Sequence, residues 1–201
     1  MKIGVFGGTF DPIHIGHLMS AELAREQLNL DKILFIPAKI PPHKQDKQIT
    51  DASHRLRMIE LSIADNPYFE VSDLEIQSNE AVSYTWHTIK KIKELYNDVD
   101  IYFLLGADTF YDLPNWTKLD YILNECTLVG FNRLGENSII KDNNIIGNNN
   151  IILINAPRLE ISSTDIRYRL TQYKSVRYMI NDQVLDYIKE NCLYAKVGEL
   201  D

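Results

Sequence analysis

The stretch Lys2-Ile3-Gly4-Val5-Phe6-Gly7-Gly8-Thr9-Phe10-Asp11-Pro12-Ile13-His14-Ile15-Gly16-His17 governs how the rest of the chain is read. Its first five residues are a short, mostly apolar run that stops at two glycines, as a buried strand does on entering a tight turn. Ile15, Leu18, Met19, Leu23 and Leu28 then recur at helical spacing. A strand, a glycine turn and a helix in that order open an α/β unit. Two glycines after a strand let backbone approach a ligand closely, and the helix start offers free N–H groups to an anion.

The same alternation continues outward from this segment. Residues 33–36 read as a second buried strand stopped by Pro37, and residues 38–48, with Pro41-Pro42 and three lysines, read as a loop. Residues 51–64 read as a helix with Leu56, Ile59, Leu61 and Ile63 on its apolar side. Short extended segments are expected within 69–76 and an amphipathic helix over 84–96. Strands are expected at 100–105, 127–131 and 151–154, the last after an asparagine-rich segment at 143–150. Helices at 163–170 and 182–190 complete the pattern. It predicts an α/β fold, a mostly parallel sheet covered on both faces in three layers, with residues 1–201 forming a single domain. Ligands of such sheets bind beyond the carboxyl ends of the strands. The segments 7–17, 106–116 and 155–167, with 37–44 as a fourth, are therefore expected to meet at one edge.

Composition narrows the function classes. Of 201 residues, 45% are hydrophobic and 24% charged, which excludes general disorder. The balance of 21 basic against 28 acidic side chains, a net charge of −7, argues against nucleic acid or an anionic membrane as a partner. Residues 39–57 and 155–178 nevertheless carry +3 each, leaving −13 on the other 158. Charge therefore permits a small polyanion at a local site. Cys126 and Cys192 form no Cys-x-x-Cys pair and are expected to be reduced, buried thiols. With no apolar leader at the N-terminus and no apolar run near the roughly 20 residues that span a bilayer, a cytoplasmic location is expected.

His14 and His17, three apart near a helix start, share a face. Gly16 between them is expected to leave that face open. Two imidazoles can donate to a phosphate whose charge grows during reaction, and a phosphate would favour their protonated forms. The string is neither a Gly-x-Gly-x-x-Gly fingerprint nor a Walker loop. No carboxylate or cysteine at ligand spacing completes a metal site around the histidines, so no protein-held metal is expected.

On these residues the chain resembles the His-x-Gly-His nucleotidyltransferases, and among them the bacterial nicotinate-nucleotide adenylyltransferases. The resemblance spans nearly the whole chain. It includes Pro41-Pro42-His43-Lys44, Ser83-Tyr84-Thr85-Trp86-His87-Thr88, Gly106-Ala107-Asp108 and Leu113-Pro114-Asn115-Trp116. It continues through Ile161-Ser162-Ser163-Thr164-Asp165-Ile166-Arg167 and Val184-Leu185-Asp186-Tyr187-Ile188 to Leu193-Tyr194. What it implies is a Rossmann-like nucleotidyltransferase fold and transfer of AMP from ATP to nicotinate mononucleotide, with Mg²⁺ accompanying ATP. Direct in-line attack fits the residues, because no Ser-His-Asp or Cys-His arrangement indicates a covalent route.

The resemblance also assigns roles. His14, His17, Lys44 and Arg167 would stabilise the reacting phosphates. Gly7, Gly8, Thr9, Phe10, Gly16 and Gly106 would line the ATP cleft, and Asp108 would hold a ribose. Ile161, Ser162, Ser163 and Thr164 would form a phosphate-binding helix start with Arg167 one turn on. Trp116 would stack on the pyridine ring, with its carboxylate against backbone N–H groups near Thr85 and Thr117.

Other readings compete. A sister transferase would use nicotinamide mononucleotide or phosphopantetheine as acceptor. His14-Ile15-Gly16-His17 also spells the class I aminoacyl-tRNA synthetase signature, but no Lys-Met-Ser-Lys-Ser follows and 201 residues leave no room for an anticodon domain. A regulatory nucleotide-binding module would not need both histidines, Lys44 and Arg167. The sequence leaves homo-oligomer formation open.

Overall fold

The computed structural model describes residues 1–41, 49–106, 109, 112–133, 150–157 and 159–194. Six strands form one sheet: β1 (Lys2–Gly8), β2 (Lys32–Pro37), β3 (Phe69–Val71), β4 (Asp100–Leu105), β5 (Thr127–Arg133) and β6 (Ile151–Ala156). Their order is β3-β2-β1-β4-β5-β6, and all five pairings are parallel. The expected mostly parallel sheet is thus wholly parallel among the described residues. The helices are α1 (Ile15–Leu28), α2 (Ala52–Ile63), α3 (Thr85–Leu95), α4 (Leu119–Glu125), α5 (Ser163–Thr171) and α6 (Asp182–Glu190). Of these, α4 is a two-turn helix that the sequence reading did not contain.

Strands buried on both faces need apolar residues at successive positions. In β2 that run is Ile33-Leu34-Phe35-Ile36, all buried. Ile33 and Phe35 point to one face with Phe6, Leu104 and Val129, where α1, α2, α5 and α6 cover them. Leu34 and Ile36 point to the other with Ile3, Val5, Phe103 and Leu128, beneath α3 and α4. The three layers follow from this division. Helix α1 approaches the sheet through two small buried residues, Ala21 and Ala24, while its larger apolar side chains are only half-buried. It ends at Asn29, whose left-handed backbone (φ 51°) suits a helix C-cap.

Two sequence expectations need correction. Cys126 is buried, and burial pushes its thiol up to about 12, but Cys192 is exposed. Both are free thiols. In α2 the buried seam is Arg55, Met58, Ile59, Ser62 and Ile63, whereas Leu56 and Leu61 are only half-buried. Hydropathy ranks an arginine last for such a position. Arg55 occupies it because its guanidinium finds three backbone carbonyls, those of Thr50 (2.8 Å from Nε), Thr9 (2.8 Å) and Lys39 (3.3 Å). Burial lowers its pKa, and the nearby Asp11 charge is the largest opposing influence.

Arg55→Met keeps the volume but leaves three carbonyls without their donor. The expected loss is about 2–4 kcal/mol of unfolding free energy in urea titrations, and a loss under about 0.5 kcal/mol would contradict this role for Arg55.

Candidate active site

The reversal of strand order falls between β1 and β4, the position at which α/β sheets bind ligands. Phe6 lies opposite Leu104 and Gly8 opposite Pro37, so the segments after β1, β2 and β4 leave the sheet side by side. Ala38 N–H donates to the Gly8 carbonyl at 2.8 Å, which keeps the exit of β2 against the glycine pair. Ser83 joins this edge from the start of α3: its N–H donates to the Ile40 carbonyl and its Oγ accepts from Lys39 N–H, each at 2.9 Å. The start of α5 closes the opposite side, where Ser163 Oγ donates to the Pro12 carbonyl at 2.8 Å. The described parts of the expected segments therefore meet at one edge.

The two histidines stack with ring centroids 3.7 Å apart and planes at 23°. His14 caps α1 in an extended conformation, and its backbone N–H donates to His17 Nδ1 at 3.2 Å. In neutral His17 the proton is therefore on Nε2, which makes that nitrogen a donor. The His17 ring stands edge-on to Phe10, with centroids 5.0 Å apart, and to Phe6 at 5.8 Å. Phe10 is 2% exposed and has a left-handed backbone (φ 49°). Its side chain is therefore a core prop for His17, and only its backbone could line a cleft.

Burial holds His14 at a pKa of about 4, well below the ordinary 6.5. Without a bound phosphate the ring is therefore held in its neutral form at pH 7. Its Nδ1 is buried with no hydrogen-bond partner among the described residues. Gly16 also has a different purpose from the one expected. A Cβ there would lie 3.1 Å from two atoms of the His14 ring, so the glycine makes room for the imidazole itself. The glycine pair behaves likewise: a Cβ on Gly7 would meet Phe103 at 3.0 Å, and one on Gly8 would meet Phe10 at 2.9 Å.

The remaining candidate residues divide into placed and unplaced. Gly106 follows β4 directly, at the same edge. Trp116 is half-buried, with its ring edge-on to Phe103 at 6.3 Å, and Phe103 in turn reaches under Gly7. Thr117 is exposed beside it. Thr85 is the first residue of α3, whose cap, Tyr84, makes no side-chain hydrogen bond to the helix. Ile161 is half-buried, its Cβ 4.0 Å from where a Cβ on Gly16 would stand. Ser162 caps α5 by accepting from Asp165 N–H at 3.1 Å. Arg167 donates from one terminal nitrogen to the Asp11 carbonyl at 2.6 Å and from the other to Thr164 Oγ1 at 3.4 Å. Lys44 and Asp108 lie outside the described residues.

Sequence reasoning gave no role to Arg55, Asp11 or Tyr194, which hold this edge from behind. Asp11 and Tyr194 stood within quoted motifs, and that was the available signal. Arg55 had none. Among the described residues, no group of three or more His, Cys, Asp or Glu could hold a metal ion. No helix among them is long and apolar enough to cross a membrane.

Comparison with known proteins adds the chemistry. Residues 5–169 match the cytidylyltransferase-like family. The nicotinate-nucleotide adenylyltransferase of Bacillus subtilis is 40% identical over 193 residues, covering 96% of this chain and 98% of that one. The chain belongs to the nicotinate-nucleotide adenylyltransferase family. A probable member from Desulfitobacterium hafniense is also 40% identical, over 96% of this chain and 95% of its own. Among solved structures, the nicotinic acid mononucleotide adenylyltransferase of Plasmodium falciparum, complexed with NaAD, superposes with a TM-score of 0.78 at 26% identity, covering 96% and 97% of the two chains. The fold expected from the family motifs is therefore the observed one.

The buried, neutral His14 has a consequence for stability. Below about pH 6.5 the unfolded chain takes up a proton at this position that the folded chain refuses until about pH 4. Its contribution is full above pH 6.5 and is lost as the pH falls toward 4, by on the order of 3 kcal/mol. Urea midpoints of wild type and His14→Asn measured from pH 7.5 to 4 should converge on acidification. Parallel curves would show that His14 is not the group responsible.

Proposed function

We propose that this chain transfers the adenylyl group of ATP to the phosphate of nicotinate mononucleotide, forming nicotinate adenine dinucleotide and pyrophosphate in NAD biosynthesis. The observation that carries this reading is the 40% identity, over nearly the full length of both chains, to the nicotinate-nucleotide adenylyltransferase of B. subtilis. The stacked histidines at the β1–β4 edge supply a place for the chemistry.

An oxygen of the mononucleotide phosphate attacks the α-phosphorus in line, and the bond to the pyrophosphate oxygen breaks. No enzyme atom becomes bonded to phosphorus. Such a transfer needs positioning and charge stabilisation. His17 Nε2–H and one N–H of neutral His14 donate to the phosphates. The free N–H groups at the start of α5 and the Arg167 guanidinium bind them from the opposite side. Lys44 adds a further cation and Asp108 takes a ribose hydroxyl. Gly7, Gly8, Thr9, Phe10, Gly16 and Gly106 present backbone to the nucleotide. Trp116 stacks on the pyridine, and its carboxylate meets the N–H groups near Thr85 and Thr117. Mg²⁺ accompanying ATP would be held by the nucleotide's own phosphates and would offset part of their charge, while the histidines and Arg167 supply the protein's donors. We read residues 1–201 as one domain working in the cytoplasm.

Pyrophosphate release is measured with ATP and either nicotinate or nicotinamide mononucleotide. The nicotinate acceptor is expected to give a kcat/KM at least about tenfold higher. Release with neither acceptor would refute the activity, and equal rates would refute the selectivity.

His17→Ala should lower kcat by about a hundredfold or more while the circular dichroism spectrum is unchanged. Trp116→Ala should raise KM for the mononucleotide about tenfold and leave KM for ATP within about twofold. Equal losses for both substrates would point instead to a folding defect.

A further inference from the structure

The Leu193-Tyr194 pair belongs to the family pattern but has no part in the reaction as described. Tyr194 lies 183 residues from Asp11 in sequence, yet its phenol O–H donates to Asp11 Oδ1 at 2.7 Å. Asp11 is 5% exposed. Its other oxygen, Oδ2, faces the Thr50 N–H at 3.5 Å and a terminal nitrogen of Arg167 at 4.0 Å. The same Arg167 nitrogen donates to the Asp11 backbone carbonyl at 2.6 Å. One buried aspartate therefore meets the arginine with both its backbone and its side chain, and the tyrosine holds the side chain from behind.

Two further observations set Tyr194 apart from an ordinary core residue. Its backbone is left-handed (φ 64°), a conformation that is costly for a non-glycine residue. Burial and the adjoining Asp11 carboxylate also push the phenol's pKa up, so at neutral pH the hydroxyl keeps its proton and acts as a donor.

We propose that Tyr194 and Asp11 are positioning residues for adenylyl transfer: the Tyr194 hydroxyl orients the Asp11 carboxylate, and Asp11 holds the Arg167 guanidinium aimed at the phosphates. The inference rests on the reading of Arg167 as a phosphate ligand. A free arginine side chain loses rotamer entropy when it must be fixed at the transition state. Among the described residues two N–H groups are engaged, by the Asp11 carbonyl and Thr164 Oγ1, and the other three are available to phosphate. The arm is ordered before ATP arrives, which is electrostatic preorganisation.

Tyr194→Phe removes one hydroxyl and keeps the ring that packs against the core. It is compared with Arg167→Lys and with the double variant for kcat, for KM of both substrates and for Tm. The single change should lower kcat about threefold to tenfold with KM for the mononucleotide within about twofold, the effect of one hydrogen bond. In the Arg167→Lys background the Tyr194 effect should vanish, because both act through one guanidinium. An unchanged kcat, or the same fold-loss in both backgrounds, overturns the inference. So does a lowered Tm with kcat intact. A silent Arg167→Lys overturns the phosphate reading of Arg167 and the inference with it, whereas wild-type protein inactive on ATP and nicotinate mononucleotide overturns the proposed function itself.

Discussion

Removing a guanidinium from water costs several kcal/mol unless its donors are satisfied, and Arg55 meets that condition with carbonyls from three separate segments. Thr9 lies in the turn before the histidines, Lys39 in the exit of β2, and Thr50 just ahead of α2. None of the three belongs to a strand or helix at that point, so no ladder of backbone hydrogen bonds holds them. A side chain must therefore fix their relative positions. The turn from Thr9 to Pro12 is further tied by Arg167, Ser163 and Tyr194. Rigid placement of His14 and His17 thus depends on polar contacts arranged behind them as much as on the helix that carries them.

The fold was legible because its signals are local. An apolar run such as Ile33-Leu34-Phe35-Ile36 bounded by Pro37 has one economical interpretation, and several of them alternating with helical patterns imply a parallel sheet. What escaped was short or nonlocal. Helix α4 has only two turns, too few for a periodic pattern to stand out. The burial of Arg55 is decided by carbonyls up to 46 residues away, which no window of sequence contains. The steric demand at Gly16 depends on where the His14 ring turns. Motif position thus nominated candidate residues, while their contacts required coordinates.

Charge arithmetic illustrates the same limit. Residues 39–57 and 155–178 are both basic by count, yet their cations differ in availability. Arg55 faces the interior, Arg57 pairs with Glu60 at 2.8 Å, and Arg169 donates to the Ser175 carbonyl. Among the described residues, Arg167 gives one terminal nitrogen to the Asp11 carbonyl and the other to Thr164 Oγ1 and keeps further donors at the carboxyl edge. Burial meanwhile keeps His14 neutral. Among the described residues, fewer of these cations stand unpaired at the carboxyl edge than a count along the sequence suggests. That arrangement suits a protein with a formal charge of −7, where a few oriented dipoles matter more than the overall field.

The contact between Asp11 and Tyr194 also orders events in time during synthesis. Both histidines and the glycine turn emerge from the ribosome well ahead of their supports, for the helix start at Ser163 and the hydroxyl of Tyr194 follow some 150 to 180 residues later. At about 5–20 residues per second that is a delay of about ten seconds or more. β1 must likewise wait for β4 before its second edge is paired. A partly made chain therefore carries the signature residues without the frame that aims them, and that frame is complete only once Tyr194 has left the ribosome.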